Sequence, residues 1–225
     1  MPSLQENIES VAAYYAERAP EYDEGSGIGT ESFESRFAGL RAKYERMFAG
    51  HTVLEIACGT GYWTEVLARA AHSVVATDVN PGLIERSRNK LQHCFNVRFQ
   101  VADAYSLEGI SGKYSAAFAH FWLSHVPKKR LKPFLASLHS RLEPGALVLM
   151  GDSLVYHDDW AKRRVDEHGD TFEERILLDG RRFETIKNFP SKAEIAELLT
   201  DMADDVAYAE HQPEHVWTVS YRVRH

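Results

Sequence analysis

Apolar positions follow two successive rhythms along the chain. In the first, Leu4, Ile8, Val11 and Tyr15 recur at helical spacing and form one apolar stripe. A Ser3-to-Glu6 capping box marks the start of that helix. The stripe breaks at Ala19-Pro20, and Gly25-Ser26-Gly27 continues the break as a flexible loop. Phe33, Phe37, Leu40, Tyr44 and Phe48 then predict a second amphipathic helix, with Gly50 placed to end it. Both helices precede any strand and read as a cap, residues 1–50, laid over a later core.

From residue 52 the rhythm changes to alternating strand and helix. Short apolar runs at Thr52–Ala57, Ser73–Asp78, Asn96–Val101, Tyr114–Ala119 and Ala146–Asp152 read as strands buried on both faces. Asn80-Pro81 gives an N-cap followed by proline at the first helical position. A stronger helical pattern opens at Pro127 and carries Leu131, Phe134, Leu135, Leu138 and Leu142 on one face. Such alternation predicts a parallel sheet with helices on both sides, here over residues 51–152. Residues 153–190 interrupt it, and Asp179-Gly180 between Arg175–Leu178 and Arg181–Ile186 predicts a β-hairpin. Residues 191–225 resume with a Ser191-to-Glu194 capping box and helix, then runs at Val206–Glu210 and Val216–Val223. The four residues joining those last runs are too few for a parallel crossover, so the pair is antiparallel.

Composition narrows the class of function. The chain has 225 residues, 44% apolar and 26% charged, with 33 acidic against 26 basic side chains and a net charge of −7. That length fits one domain with a substantial core. The acidic balance argues against a nucleic-acid partner, which needs a cationic face. No run approaches the roughly 18 apolar residues of a membrane span. The polar opening lacks a signal-peptide pattern, and two cysteines, Cys58 and Cys94, fit a reducing interior. The expectation is a cytoplasmic protein, monomer or homodimer, acting on something small. His-Glu-x-x-His is absent and the cysteines form no Cys-x-x-Cys, so no metal is expected.

The stretch Val53-Leu-Glu55-Ile-Ala57-Cys58-Gly59-Thr-Gly61-Tyr62 passes from a buried strand through a small-residue loop into a helix. Gly59 and Gly61 let a ligand or helix backbone come close, and the helix N-terminus beyond favours an anionic group. Asp78 closes the second strand, where a carboxylate can accept hydrogen bonds from both hydroxyls of a ribose. Asp103 closes the third at the same sheet edge, within reach of an exocyclic adenine amine. Glu55, inside the first strand, is expensive to bury and needs a partner or the loop amides.

These residues, with Leu142-Glu-Pro144-Gly145 before the fifth strand, resemble the successive motifs of class I S-adenosylmethionine-dependent methyltransferases. The resemblance covers nearly the whole chain. It implies a single-domain, Rossmann-like three-layer α/β sandwich. Its mostly parallel seven-stranded sheet would have an antiparallel last strand and the order 3-2-1-4-5-7-6. It implies S-adenosylmethionine as cofactor, S-adenosylhomocysteine as product, and a small-molecule acceptor. By position, Gly59 and Gly61 would line the methionine moiety, Asp78 would hold the ribose with Val79 against the adenine face, and Asp103-Ala104 would read the adenine edge. Ala57 stands where that family most often has glycine. The segment Tyr15 to Asp23 is similar to a lid in the small-molecule branch. Tyr15 and Tyr22 would then be cofactor contacts, Tyr22 foremost.

Two rival readings share the pattern. A nicotinamide dehydrogenase would want glycine or alanine where Thr64 stands, and no Tyr-x-x-x-Lys pair occurs. A non-catalytic protein that keeps the cofactor pocket is the other. For catalysis, the segment His120-Phe-Trp122-Leu-Ser-His125 follows the fourth strand at the ligand-facing edge. His125 is the candidate general base, since imidazole titrates near neutrality. It also occupies the place of a functional histidine in phosphoethanolamine-type enzymes. His120 is expected to form a wall of the cofactor pocket. Trp122, and Trp160, Arg181, Phe183 and Lys187 of the 153–190 insertion, are candidate acceptor contacts.

Overall fold

The computed structural model describes residues 4–155 and 163–224; Ser3 and Trp160 therefore lie outside the described residues. The N-terminal cap has three helices rather than two: α1 (Leu4–Arg18), a short α2 (Tyr22–Ser26) and α3 (Glu31–Phe48). Gly27, at φ 72°, ends α2 in the left-handed conformation that glycine adopts without strain. Thr30 caps α3 by accepting a hydrogen bond from the Phe33 amide at 3.3 Å. The predicted stripe Phe37, Leu40, Tyr44 and Phe48 is the buried face of α3.

The core begins with β1 (Thr52–Ile56), α4 (Tyr62–Ala68), β2 (Ser73–Asp78), α5 (Pro81–Lys90), β3 (Val97–Val101) and β4 (Tyr114–His120). Asn80 caps α5, its side chain accepting from the Gly82 amide at 2.8 Å, with Pro81 next in the helix. After β4 come 3₁₀ turns at Leu123–His125 and Lys128–Arg130, then α6 (Leu131–His139) and β5 (Leu142–Ser153). The sequence pattern placed that helix at Pro127, four residues early. Pro133 explains the later start: a proline lacks the amide that a helix interior needs, and it fits the first turn of α6.

The chain continues through β6 (Arg164–Val165), β7 (Thr171–Ile176), β8 (Arg182–Ile186), α7 (Lys192–Leu199), β9 (Ala203–His211) and β10 (Val216–Val223). The large sheet has the order β3-β2-β1-β4-β5-β10-β9. Counting only its own seven strands, this is the expected 3-2-1-4-5-7-6. Strands β1 to β5 pair in parallel, and β10 runs antiparallel to both β5 and β9. Along β1, Leu54 and Ile56 enter one apolar cluster while Val53 enters the other. Both faces of the sheet are therefore covered along its central strands, which is why these read as continuous apolar runs; β3, expected to be buried on both faces, is an edge strand with no fully buried residue.

Strands β6, β7 and β8 form a separate small antiparallel sheet. Helix α1 packs on it: Val11 meets Phe172 and Ile186, and Ser10 Oγ donates to the Glu184 carbonyl at 2.8 Å. The Asn188 amide ties that sheet to the core by donating to the Ser124 carbonyl at 2.7 Å. Cap and small sheet together stand over the C-terminal ends of β1, β2 and β4. Among the described residues, no helix is long and apolar enough to cross a membrane.

Candidate active site

Two cavities open at those strand ends. The first, about 240 Å³, is roofed by Ile8, Glu9 and Ala12 of α1 and floored by Gly59, Asp78, Val79, Ala102, Asp103 and Ala104. The second, about 290 Å³, is walled by Phe33, Arg36 and Phe37 of α3, Tyr62 and Trp63 of α4, and Phe118. Tyr15, Tyr22, Ala57, Gly59, His120 and Phe121 line both, so the two cavities are adjacent and share this wall.

The glycine loop is shaped by its neighbours. Gly59 has φ 56°, and a Cβ there would meet nothing within 4 Å, so its open face looks into the cavities. Ala57 also has positive φ, 54°, a conformation that costs an alanine about 1–2 kcal/mol over a glycine. Gly61 behaves differently. At φ 83° it caps α4, and a Cβ would lie 2.9 Å from Leu91 Cδ1 and 3.2 Å from Ser87 Cβ. It lines neither cavity, and the absence of a side chain there allows close packing of α4 against α5.

Asp78 accepts hydrogen bonds from the Gly59 amide at 3.0 Å and the Asn80 amide at 2.9 Å, one on each oxygen. Burial pushes its carboxyl up, against those backbone hydrogen bonds. Each oxygen keeps a second lone pair. Asp103 Oδ1 accepts from the Tyr105 amide at 2.8 Å. Glu55 is buried with Oε2 unpartnered, and burial together with the Asp78 charge pushes it up to about 8. The loop is also held from above: Thr60 Oγ1 donates to Asp23 Oδ1 at 2.5 Å, and Lys90 pairs with Asp23 Oδ2 at 3.0 Å.

His125 is buried and lines the first cavity. Its Nδ1–H donates to the Ile186 carbonyl at 2.7 Å, so in the neutral ring Nε2 accepts from the Tyr15 hydroxyl at 2.9 Å. Burial, reinforced by Lys187, pulls its pKa down to about 3. His120 is likewise buried and pulled down to about 3, chiefly by burial.

Four candidate acceptor contacts are placed as follows. Trp122 lines the first cavity. Lys187 lines the second, but its ammonium is committed to Asp152 at 2.9 Å and Ser124 Oγ at 2.8 Å. Arg181 lines neither; it pairs with Asp179 and Glu17, both at 2.7 Å, on an exposed hairpin. Phe183 lines neither and packs on Tyr14, ring centroids 5.7 Å apart. Several site residues escape sequence reading. Arg36 belongs to the polar side of an amphipathic helix, and Phe121 carries no motif. Phe121 has φ 58°, an uncommon state for a bulky residue that marks constrained backbone at the wall the cavities share. Among the described residues, no group of three or more His, Cys, Asp or Glu is disposed to hold a metal.

Residues 53–145 match the family described as "Methyltransferase domain". The solved DhpI–SAH complex superposes with a TM-score of 0.75 at 32% identity, over 97% of both chains. The DhpI–SAM–HEP complex gives 0.76 at 30% identity, over 96% of this chain and 97% of that one. A protein-L-isoaspartate O-methyltransferase from a Bradyrhizobium species is 32% identical over 133 residues, 58% of each chain. A demethylmenaquinone methyltransferase from Renibacterium salmoninarum is 29% identical over 135 residues, 59% of this chain and 56% of its own. The chain thus spans a little over half the length of these curated relatives. With full-length similarity to a chain solved in complex with SAH and with SAM, the matched methyltransferase domain and the observed strand order, the chain belongs to the class I S-adenosylmethionine-dependent methyltransferases.

Proposed function

We propose that this chain transfers a methyl group from S-adenosylmethionine to a small-molecule acceptor. The observation that carries the reading is the pair of cavities joined by a shared wall of six residues, one rimmed by carboxylates and the other by aromatic rings. Bound in the first cavity, the cofactor supplies a methyl group on a positively charged sulfur, already activated for in-line displacement. Asp78 is oriented by two backbone amides and keeps free lone pairs, so it binds ribose hydroxyls. Asp103 and Ala104 read the adenine edge, with Val79 against its face. Glu55 Oε2, buried without a partner, is a further polar group available to the cofactor.

Methyl transfer of this kind gains much of its acceleration from holding donor and acceptor in line. Tyr15, Tyr22 and Phe121, in the wall that the two cavities share, surround that line and exclude water. His125 faces only the first cavity, and its acceptor nitrogen is already engaged by Tyr15. In this reading it is a positioning residue that locks α1 down, and acts on the acceptor through Tyr15. The second cavity, about 290 Å³ and walled by rings, suits a compact molecule better than a protein segment. Calorimetric titration with S-adenosylmethionine, with NAD as control, tests the reading. Saturable binding of the first alone is expected, and binding of NAD alone overturns it.

A further inference from the structure

His120 is the residue whose surroundings the reading above leaves unexplained. It stands at the end of β4 in the wall that the two cavities share, 6% exposed, and neither ring nitrogen has a hydrogen-bond partner. A buried imidazole with two orphaned nitrogens is costly unless a bound group satisfies it. The ring is held in place. Trp63 lies 4.7 Å away and Phe121 4.3 Å away between centroids. On β5, a Cβ at Gly151 would fall 2.7 Å from His120 Nε2 and 2.8 Å from Cδ2, so the glycine is what leaves room for the imidazole. That edge lies against β5, which turns the Nδ1 edge away from it.

We propose that His120 is a catalytic residue that accepts a hydrogen bond from a hydroxyl group of the methyl acceptor and takes its proton. The second cavity then receives a small molecule methylated on oxygen rather than on an amine. The proposal rests on the methyltransferase reading and gives its substrate class. As the acceptor oxygen forms the new C–O bond with one of its lone pairs, the C–S bond breaks and its electron pair stays on sulfur. The hydroxyl proton passes to a His120 ring nitrogen and on to solvent when the product leaves.

Two features select oxygen. An imidazole that burial keeps neutral is a weak base. It suffices for the very acidic proton of an oxygen gaining a third bond, but not for an ammonium, which must be deprotonated before its nitrogen can attack. The charges of the cavity agree. Arg36 lines it, lies 5.5 Å from Phe33 and 5.2 Å from Phe37, and has no carboxylate partner among the described residues. Lys187 also lines it, but its charge is neutralised by Asp152. Of the lining carboxyls, Glu55 is pushed up to about 8 by burial, and Glu214 is only half-buried. Arg36 is thus the lining cation without a carboxylate partner among the described residues, and it repels an ammonium more than a neutral hydroxyl.

The test uses the whole protein saturated with S-adenosylhomocysteine and three probes of one shape: benzyl alcohol, benzylamine and toluene. Binding is followed by NMR titration. A single hydrogen bond to a buried acceptor gives benzyl alcohol about a fivefold advantage over toluene and over benzylamine. His120→Leu removes that advantage, and His120→Gln, which retains an acceptor, restores part of it. A thermal melt of each variant verifies its fold. The proposal is overturned if the alcohol binds wild type no more tightly than toluene, if the amine binds tightest, or if the advantage survives in His120→Leu. The wild-type comparison decides even where a variant does not fold. Failure to bind S-adenosylhomocysteine at all sinks the methyltransferase reading instead, so the two failures are distinct.

Discussion

The Tyr15 hydroxyl donates to His125 Nε2 at 2.9 Å, joining the first helix of the cap to the turn that follows β4. The bond has a defined direction because His125 Nδ1 is committed to the Ile186 carbonyl. The imidazole thus ties the small sheet and α1 together over the first cavity. Tyr15→Phe leaves the ring in place but strips Nε2 of its donor. The expected result is about 1 kcal/mol lower stability and faster amide hydrogen exchange in α1. Unchanged exchange in α1 would mean that this bond does not hold the cap.

The same burial makes stability depend on pH. His125 and His120 titrate near 3 in the folded chain and near the ordinary 6.5 in the unfolded one. Below pH 6.5 the unfolded state takes up protons that the native state refuses, so both histidines lower stability as pH falls from 6.5 toward 3. Glu55 acts the other way: the native state keeps its proton up to about 8, so its contribution is lost as pH rises from 4.5 to 8. Urea unfolding of wild type and His125→Gln at pH 7 and pH 5 separates these effects. Wild type should lose more stability between the two conditions than the variant, whereas parallel losses would contradict the assignment.

Lys187 and Asp152 form a buried ion pair at 2.9 Å, with side chains 7% and 1% exposed. Burial alone would raise the Asp152 carboxyl, but Lys187 beside it holds it below the usual range. Lys187→Met leaves that carboxylate with the Ser124 and Ser153 amides and no counter-charge. The expected loss is about 3–5 kcal/mol by chemical denaturation, because an uncompensated charge remains in the core. A loss below about 1 kcal/mol would point to a carboxyl that is already neutral or hydrated.

Ala57 offers a test of opposite sign. Its φ of 54° lies where glycine is unstrained, so Ala57→Gly should raise stability by about 1 kcal/mol. Equilibrium unfolding measures it, and a destabilised variant would show that the methyl group contributes packing that outweighs the strain.

What the sequence made legible were features written locally. The two-face burial of β1, β2, β4 and β5, the glycine loop, and the carboxylates at and just after the ends of β2 and β3 follow from short patterns, while the strand order was anticipated from the family resemblance and the edge position of β3 left it only partly buried. The aromatic stripe of α3 announced a helix, yet nothing in it told which ring would face a cavity; Phe33 and Phe37 do so because α3 crosses above α4. Lys187 read as a free cation on an insertion because its partner Asp152 lies 35 residues away on β5. Arg181 looked equally available, and is spent on Asp179 and Glu17. Gly61 was placed at the ligand by its motif, while its packing partners Leu91 and Ser87 belong to a helix whose approach no local pattern encodes. Tyr15 and His125, 110 residues apart, were each singled out without their bond being foreseeable.

The central claim is that the carboxylate at the end of β2 grips the cofactor. Isothermal titration of S-adenosylmethionine into wild type and Asp78→Ala addresses it most directly, with thermal melts of both to verify folding. Loss of the charged acceptor should weaken binding by about 1–3 kcal/mol. Equal affinity in a folded Asp78→Ala protein would contradict the account.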